Sequence, residues 1–280
     1  MKENSNIVVL GGGESGVGAG ILAKKNGANV LVSDHSSISE LNQKKLNDFG
    51  VVWEQNGHNE KAILNADLII KSPGISDSNE IIKKLDNVGI PVISEIELAG
   101  KYCKGKKICV TGSNGKTTTV NWIFDMLQRA KISSALVGNV GTSYARSVAE
   151  QDVDVFVVEV SSFQLDDIDA FRPDVALILN ITPDHLDRYE YSMDLYAQSK
   201  WRITKNQTAE DLLILSADDP SITKLFSDYG SKAKTQQFSI KTHQCLAHAN
   251  EDKLEFQFTT NPITIAMNDL ILKGNHNVYN

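Results

Sequence analysis

Cysteine is scarce in this chain: Cys103, Cys109 and Cys245 are the whole complement, and their spacing pairs none of them. Neither a disulfide framework nor a zinc site is indicated. Cys109 lies inside the apolar run Ile108-Cys-Val110 and reads as core filler. Long basic runs are also missing, and the formal net charge is −7, so no nucleic-acid partner is expected. The basic cluster Lys101, Lys104, Lys106 and Lys107 falls where a domain junction is expected and reads as a solvated hinge. No apolar run approaches membrane-spanning length, and residues 1–6 lack the apolar stretch of a signal peptide. No membrane partner is expected, and the cytoplasm is the default compartment. Internal repeats and low-complexity tracts are absent. What is present is enough apolar material for a sizeable core, 41% hydrophobic over 280 residues, and a length that suggests two domains.

The most informative stretch is Val110-Thr-Gly-Ser-Asn-Gly-Lys-Thr-Thr-Thr119. An apolar strand run precedes it, and residues 120–128 follow with apolar residues at helical spacing. Strand, glycine-bearing loop with Lys-Thr, then helix is the layout of a phosphate loop for a nucleoside triphosphate. Backbone N–H groups of Gly112, Ser113, Asn114 and Gly115 would close around phosphate oxygens, helped by the helix N-terminus. Lys116 would reach the terminal phosphates, and the hydroxyls of Thr117 and Thr118 lie at the helix start, with Thr117 placed to help hold Mg²⁺. The spacing is shorter than usual, because Val110 stands where a glycine is expected. ATP is the expected ligand.

A second glycine loop, Gly11-Gly-Gly-Glu14-Ser15-Gly16, follows the apolar run Ile7-Val-Val-Leu10 and precedes a helical stretch from Val17 to Asn26. The next strand run, 29–34, ends on Asp34. This fits the dinucleotide fingerprint, in which a carboxylate accepts a bond from a ribose hydroxyl. NAD(P) and a UDP-linked ligand could both use this arrangement. Further strand runs at 51–53, 66–70 and 91–94, with a helical segment at 78–87, indicate a small parallel sheet. Ser72-Pro-Gly74-Ile75 follows one strand directly, either as a ligand contact or as a plain turn. The boundary falls near residue 100, giving domains of 1–98 and 99–280.

In the second domain, the runs 154–160, 174–180 and 211–216 are near-continuously apolar, the mark of strands buried on both faces. Glu159 closes the first of them, where a Mg²⁺ or a capping role for residues 161–164 could compensate its charge. The phosphate loop, Glu159 and Thr182-Pro-Asp-His185-Leu-Asp187 each follow a strand, so a parallel sheet brings them to one edge. His185 reads equally as a metal or acid–base group and as a structural histidine. Lys200, on a helical stretch with no acidic residue at i±4, reads from spacing alone as a surface lysine. Runs at 237–240, 253–258 and 263–265 suggest a small antiparallel β appendage.

Four segments together resemble the Mur ligases of peptidoglycan synthesis: Gly112-Ser-Asn-Gly-Lys-Thr-Thr, Glu159-Val-Ser-Ser-Phe-Gln-Leu165, Asn180-Ile-Thr-Pro-Asp-His-Leu-Asp-Arg-Tyr189 and Gly274-Asn-His-Asn-Val-Tyr-Asn280. Within that family, the glycine loop with Asp34, the Ser72-Pro-Gly-Ile75 turn and Ser94-Glu-Ile-Glu-Leu98 resemble the members that add D-glutamate to UDP-N-acetylmuramoyl-L-alanine. The resemblance implies an α/β architecture. A Rossmann-like UDP-binding domain precedes a P-loop ATPase-like domain with a parallel sheet and an antiparallel appendage.

It also implies site residues. Glu14, Ser15, Asp34, His35 and Gly74 match the UDP-binding region, although His35 and Ser36 replace the family's frequent Thr-Arg. Asn139, Ser161, Gln164 and His185 match positions near the muramoyl group. Thr117 and Glu159 match ligands of one Mg²⁺. His185 and Lys200 match ligands of a second, where the family lysine is carbamylated; this reverses the surface reading of Lys200. Asn280 matches an adenine contact. The implied reaction is ATP-driven amide formation through an acyl phosphate, in a cytoplasmic monomer. The family's third domain, which carries most of the D-glutamate site, is not in this sequence. The expectation is a chain that binds the UDP substrate, binds ATP weakly and does not complete catalysis. A folylpolyglutamate-synthase-like ligase would share the second-domain chemistry but not a UDP-type first domain. An NAD-dependent oxidoreductase would explain the first loop and leave the second unexplained.

Overall fold

A computed structural model describes residues 3–139, 141–242, 244–250, 252–257 and 262–270. The chain divides into two compact units, the first made of Met1–Gly105, Ala135–Phe156 and Phe163–Phe171, the second of Lys106–Ser134, Val157–Ser162 and Arg172–Asn280.

The first sheet is built by alternation of strand and helix. Its elements are β1 (Asn6–Leu10), α1 (Glu14–Lys25), β2 (Asn29–Ser33), α2 (Glu40–Asp48), β3 (Val52–Glu54), α3 (Glu60–Ile63), β4 (Leu68–Lys71), α4 (Glu80–Val88), β5 (Val92–Ser94) and α5 (Glu95–Tyr102). All pairs are parallel in the order β3-β2-β1-β4-β5. Burial on both faces explains the unbroken apolar run of β1, whose Ile7–Leu10 are at most 3% exposed. The order reverses between β1 and β4, and ligands of such sheets bind outside the carboxyl ends of strands at that point. Helix α1 begins three residues earlier than the apolar spacing predicts, and β2 stops at Ser33, leaving Asp34 just past its end. A Cβ on Gly16 would lie 1.8 Å from the Gly11 carbonyl oxygen, so only glycine lets α1 approach the loop this closely.

The remaining elements are β6 (Lys106–Thr111), α6 (Lys116–Arg129), β7 (Ser134–Gly138), α7 (Tyr144–Glu150), β8 (Val155–Glu159), α8 (Ser162–Asp166), β9 (Val175–Ile178), α9 (Met193–Trp201), β10 (Leu212–Ser216), α10 (Pro220–Tyr229), β11 (Lys234–Ser239), β12 (Ala247–Asn250), β13 (Lys253–Phe256) and β14 (Ile263–Ala266). They form a sheet in the order β14-β13-β12-β11-β10-β9-β6-β8-β7.

The antiparallel appendage expected from residue 237 needs correcting. Strand β11 pairs parallel with β10 and extends the main sheet, and β12 pairs parallel with β11. Only β12–β13 and β13–β14 are antiparallel. The apolar run at 237–240 carries no information on its partner's direction; the short crossover through α10 sets it. The Lys101–Lys107 cluster also departs from a solvated hinge. Lys107 is mostly buried, with its ammonium 3.0 Å from Asp174, and Lys106 lies 3.4 Å from the same carboxylate. Among the described residues, no helix is long and apolar enough to cross a membrane.

Candidate functional site

In the first unit the glycine loop is closed by Asp34. Its Oδ2 accepts the Gly12 N–H at 2.6 Å and its Oδ1 accepts the Ser36 N–H at 2.7 Å. The carboxylate therefore ties the loop to the end of β2. Helix α1 starts at Gly13 without a side-chain cap, which leaves first-turn N–H groups at Glu14 and Ser15 for an anion. The Glu14 carboxylate is held by Lys45 at 2.9 Å and Arg146 at 2.7 Å. Across the switch point, Ser72 donates its N–H to the Leu10 carbonyl at 3.0 Å and sets the turn that carries exposed Gly74. His35 is exposed, its ring 5.9 Å from that of His58. Asn139 is exposed just after β7, and Gln164 is buried in α8.

The second unit gathers its groups at the carboxyl ends of β6, β8 and β9. Gly115 takes a left-handed conformation, φ +84°, which turns the chain from the loop into α6 at Lys116. The loop is braced from β9: Asn114 donates its N–H to Asn180 Oδ1 at 2.9 Å, and Asn180 Nδ2 donates back to the Asn114 carbonyl at 3.0 Å. Ser113 Oγ donates to the Thr182 carbonyl at 2.8 Å and meets the Tyr196 hydroxyl at 3.0 Å. The convergence expected of the loop, Glu159 and the 180–187 segment is thus present. Glu159, 1% exposed, accepts the Thr117 hydroxyl at 2.7 Å. A buried carboxylate beside a hydroxyl is a hard-oxygen pair, and it fits Mg²⁺. Among the described residues, no three His, Cys, Asp or Glu side chains converge as a metal cage. That accords with a cation whose remaining ligands are phosphate oxygens and water.

Lys116 bends back over the loop, donating to the carbonyls of Gly112 at 2.8 Å and Ser113 at 2.9 Å. Burial lowers its pKa, with the Glu159 and Asp184 carboxylates opposing that shift. Lys200 is 2% exposed, so the surface reading from spacing fails. Its ammonium donates to the same Gly112 carbonyl at 2.9 Å and lies 4.6 Å from the centre of the Tyr196 ring. Two cationic side chains, 84 residues apart in sequence, converge on one carbonyl of the phosphate loop. His185 follows β9 with φ +47°, an uncommon conformation for a non-glycine residue, and its Nε2 is 3.6 Å from Asp184. Asn280 lies outside the described residues.

Comparison with known proteins matches residues 5–94 to the Mur ligase MurD-like N-terminal domain and residues 110–280 to the Mur ligase middle domain. The chain belongs to the Mur ligase family. It is 46% identical over 277 residues to the UDP-N-acetylmuramoylalanine–D-glutamate ligase of Bacteroides fragilis, covering 98% of this chain and 62% of that one. It is 44% identical to the ligase of the same name from Christiangramia forsetii, with the same coverage. The chain therefore spans 62% of the length of these relatives. Among solved structures, it superimposes on UDP-N-acetylmuramate:L-alanyl-gamma-D-glutamyl-meso-diaminopimelate ligase from Neisseria meningitides with a TM-score of 0.66. That match covers 99% of this chain and 90% of the other at 18% identity, and it supports the α/β fold. The first glycine loop thus belongs to a Mur ligase domain.

Several groups around the loop escaped the sequence reading. Asn180, Thr182 and Tyr196 brace the phosphate loop, and Asp184 contributes to its field. Asn180 and Thr182 carried one available signal, since they directly follow a buried strand on the loop's own edge. Tyr196 carried none, because its partner Ser113 is 83 residues away.

Proposed function

We propose that this chain holds UDP-N-acetylmuramoyl-L-alanine and ATP in a ligase that adds D-glutamate, with peptidoglycan as the eventual product and the cytoplasm as its compartment. The organisation is a UDP-substrate domain over 1–98 and an ATP domain over 99–280. One observation carries the reading of the second: Lys116 and Lys200 converge on the Gly112 carbonyl, in the same unit as the Thr117–Glu159 pair. Such a concentration of positive charge around a phosphate loop suits a γ-phosphoryl group.

In the reaction proposed, the alanyl carboxylate attacks the γ-phosphorus of ATP and ADP departs, leaving an acyl phosphate. The D-glutamate amine then attacks the acyl carbon, phosphate leaves, and an amide forms. Backbone N–H groups of residues 112–115 hold the phosphates, with Thr118 at the helix start beside them, and Lys116 follows the charge that develops on the transferred group. Thr117 and Glu159 would hold one Mg²⁺, which when bound neutralises phosphate charge. Lys200 as an ammonium cannot ligate a metal. Condensation of its neutral amine with CO₂ would turn a buried cation into an anionic ligand that, with His185, could hold a second ion. It would also remove a positive charge from beside Lys116. Toward the UDP substrate, Ser15, Asp34, His35 and Gly74 are assigned to the uridine and diphosphate. Glu14 is assigned to the same loop, where it is held by Lys45 and Arg146. Asn139, Ser161, Gln164 and His185 are assigned to the muramoyl group, and Asn280 to adenine.

Calorimetric titration tests the reading. The chain should bind UDP-N-acetylmuramoyl-L-alanine, and Lys116→Ala should remove ATP binding while leaving the UDP substrate bound. Failure of the unaltered chain to bind that substrate would refute the assignment.

A further inference from the structure

We propose that Glu95 and Ser143 form a latch that sets the position of Asn139, making Glu95 a positioning residue for the muramoyl end of the substrate. The inference rests on the assignment of Asn139 to that group. All the parts lie in the first unit.

Glu95 opens α5 and is 2% exposed. Its Oε1 accepts the Ser143 hydroxyl at 2.7 Å and the Ala145 N–H at 2.6 Å, so one oxygen holds the first turn of α7. The other oxygen, Oε2, is buried with no hydrogen-bond partner. A carboxyl kept half-satisfied in the interior costs stability, and such a cost points to a role other than stability. Ser143 is also the N-cap of α7, accepting the Arg146 N–H at 3.1 Å.

Space around Ser143 is exact. A Cβ on Gly18 of α1 would lie 1.9 Å from its hydroxyl oxygen, so α1 meets α7 at a glycine. Glu14, at the end of the glycine loop, takes Arg146 at 2.7 Å. The charged groups around the α7 start are therefore Glu95 from α5, Glu14 from α1 and Arg146 from α7 itself. Four residues upstream of Ser143 stands Asn139. The connection between them is short and fixed at its base, where the Gly138 N–H donates to the Thr142 carbonyl at 3.1 Å. Holding Ser143 against α1 and α5 thus fixes Asn139 relative to the loop assigned to the diphosphate. A substrate gripped at its UDP end would find Asn139 already in place, which raises affinity by preorganisation.

The test compares UDP with UDP-N-acetylmuramoyl-L-alanine as calorimetric ligands of this chain. Glu95→Ala and Ser143→Ala should each weaken the muramoyl substrate about tenfold and leave UDP within about twofold. Glu95→Gln, which keeps an acceptor for both bonds, should bind both ligands within about twofold of the unaltered chain. The double Ala variant should be no weaker than the weaker single one, because both break the same latch. Muramoyl-substrate affinity unchanged in Ser143→Ala, or UDP and muramoyl substrate weakened equally, overturns the latch. If circular dichroism shows Glu95→Ala unfolded, Ser143→Ala decides by the same criteria. An unaltered chain that binds UDP equally well with and without the muramoyl group overturns the role of Asn139 and the latch with it. Binding of neither ligand refutes the proposed function itself.

Discussion

Replacing Glu95 by Gln should make this protein more stable at alkaline pH relative to acid, by an amount the structure supplies. Burial raises the Glu95 carboxyl from 4.5 to about 7, against the lowering influence of the Ala145 and Ser143 hydrogen bonds. Below pH 4.5 the group is neutral in both folded and unfolded chains and stability is unaffected. Between pH 4.5 and about 7 the unfolded chain ionises first, so stability falls as pH rises. Above pH 7 the full penalty remains. The interval corresponds to about 3 kcal/mol. Glutamine keeps one acceptor for Ser143 and Ala145 but does not titrate. Its amide nitrogen would sit where Oε2 has no partner, a cost of about 1–3 kcal/mol that is independent of pH. Urea denaturation of both proteins at pH 5 and pH 8 separates the two contributions. Wild type minus variant stability should decrease by about 3 kcal/mol between those pH values. A difference that stays constant with pH would refute the reasoning, because it would mean that Glu95 titrates alike in both states.

Other outcomes follow from the same contacts. Thr117→Val removes the hydroxyl that donates to buried Glu159, so the ligand-free protein should lose about 1–3 kcal/mol in denaturant melts, and Mg²⁺-dependent ATP binding should weaken at least about tenfold in calorimetry. Glu97 accepts the N–H groups of Asp169, Ala170 and Phe171, so Glu97→Ala should cost about 3 kcal/mol or more and accelerate hydrogen exchange at those three amides. Gly18→Ala places a methyl group against Ser143 and should lower the melting temperature by several degrees, with about 1–3 kcal/mol lost to overpacking.

Local chemistry was readable from the chain; pairing across it was not. The apolar runs leading to Leu10, Thr111 and Glu159 announced buried parallel strands, and Gly11–Gly16 and Gly112–Gly115 announced turns into helices. These signals are contained within a dozen residues. The direction of β11 was misread because alternation and apolarity describe a strand's faces, not its neighbour. Strand β12, Ala247–Asn250, is short and mixed in character, and no run marked it. Lys200 looked exposed because a helix neighbour at i±4 was the only partner that spacing could offer. Its actual acceptor is the Gly112 carbonyl, 88 residues away. Glu97 illustrates the same limit. Ser94-x-x-Glu97 has the form of a capping box, and Ser94 does accept the Glu97 N–H at 3.4 Å. The Glu97 carboxylate goes instead to the 169–171 backbone, a partner with no local trace.

The central claim, ATP-driven ligation of D-glutamate, is tested most directly by phosphate release from a chain extended to the length of its curated relatives. With ATP, Mg²⁺ and UDP-N-acetylmuramoyl-L-alanine present, release should begin on adding D-glutamate, remain at background with L-glutamate, and vanish in Lys116→Ala. Release that ignores D-glutamate, or that survives in Lys116→Ala, would contradict the account.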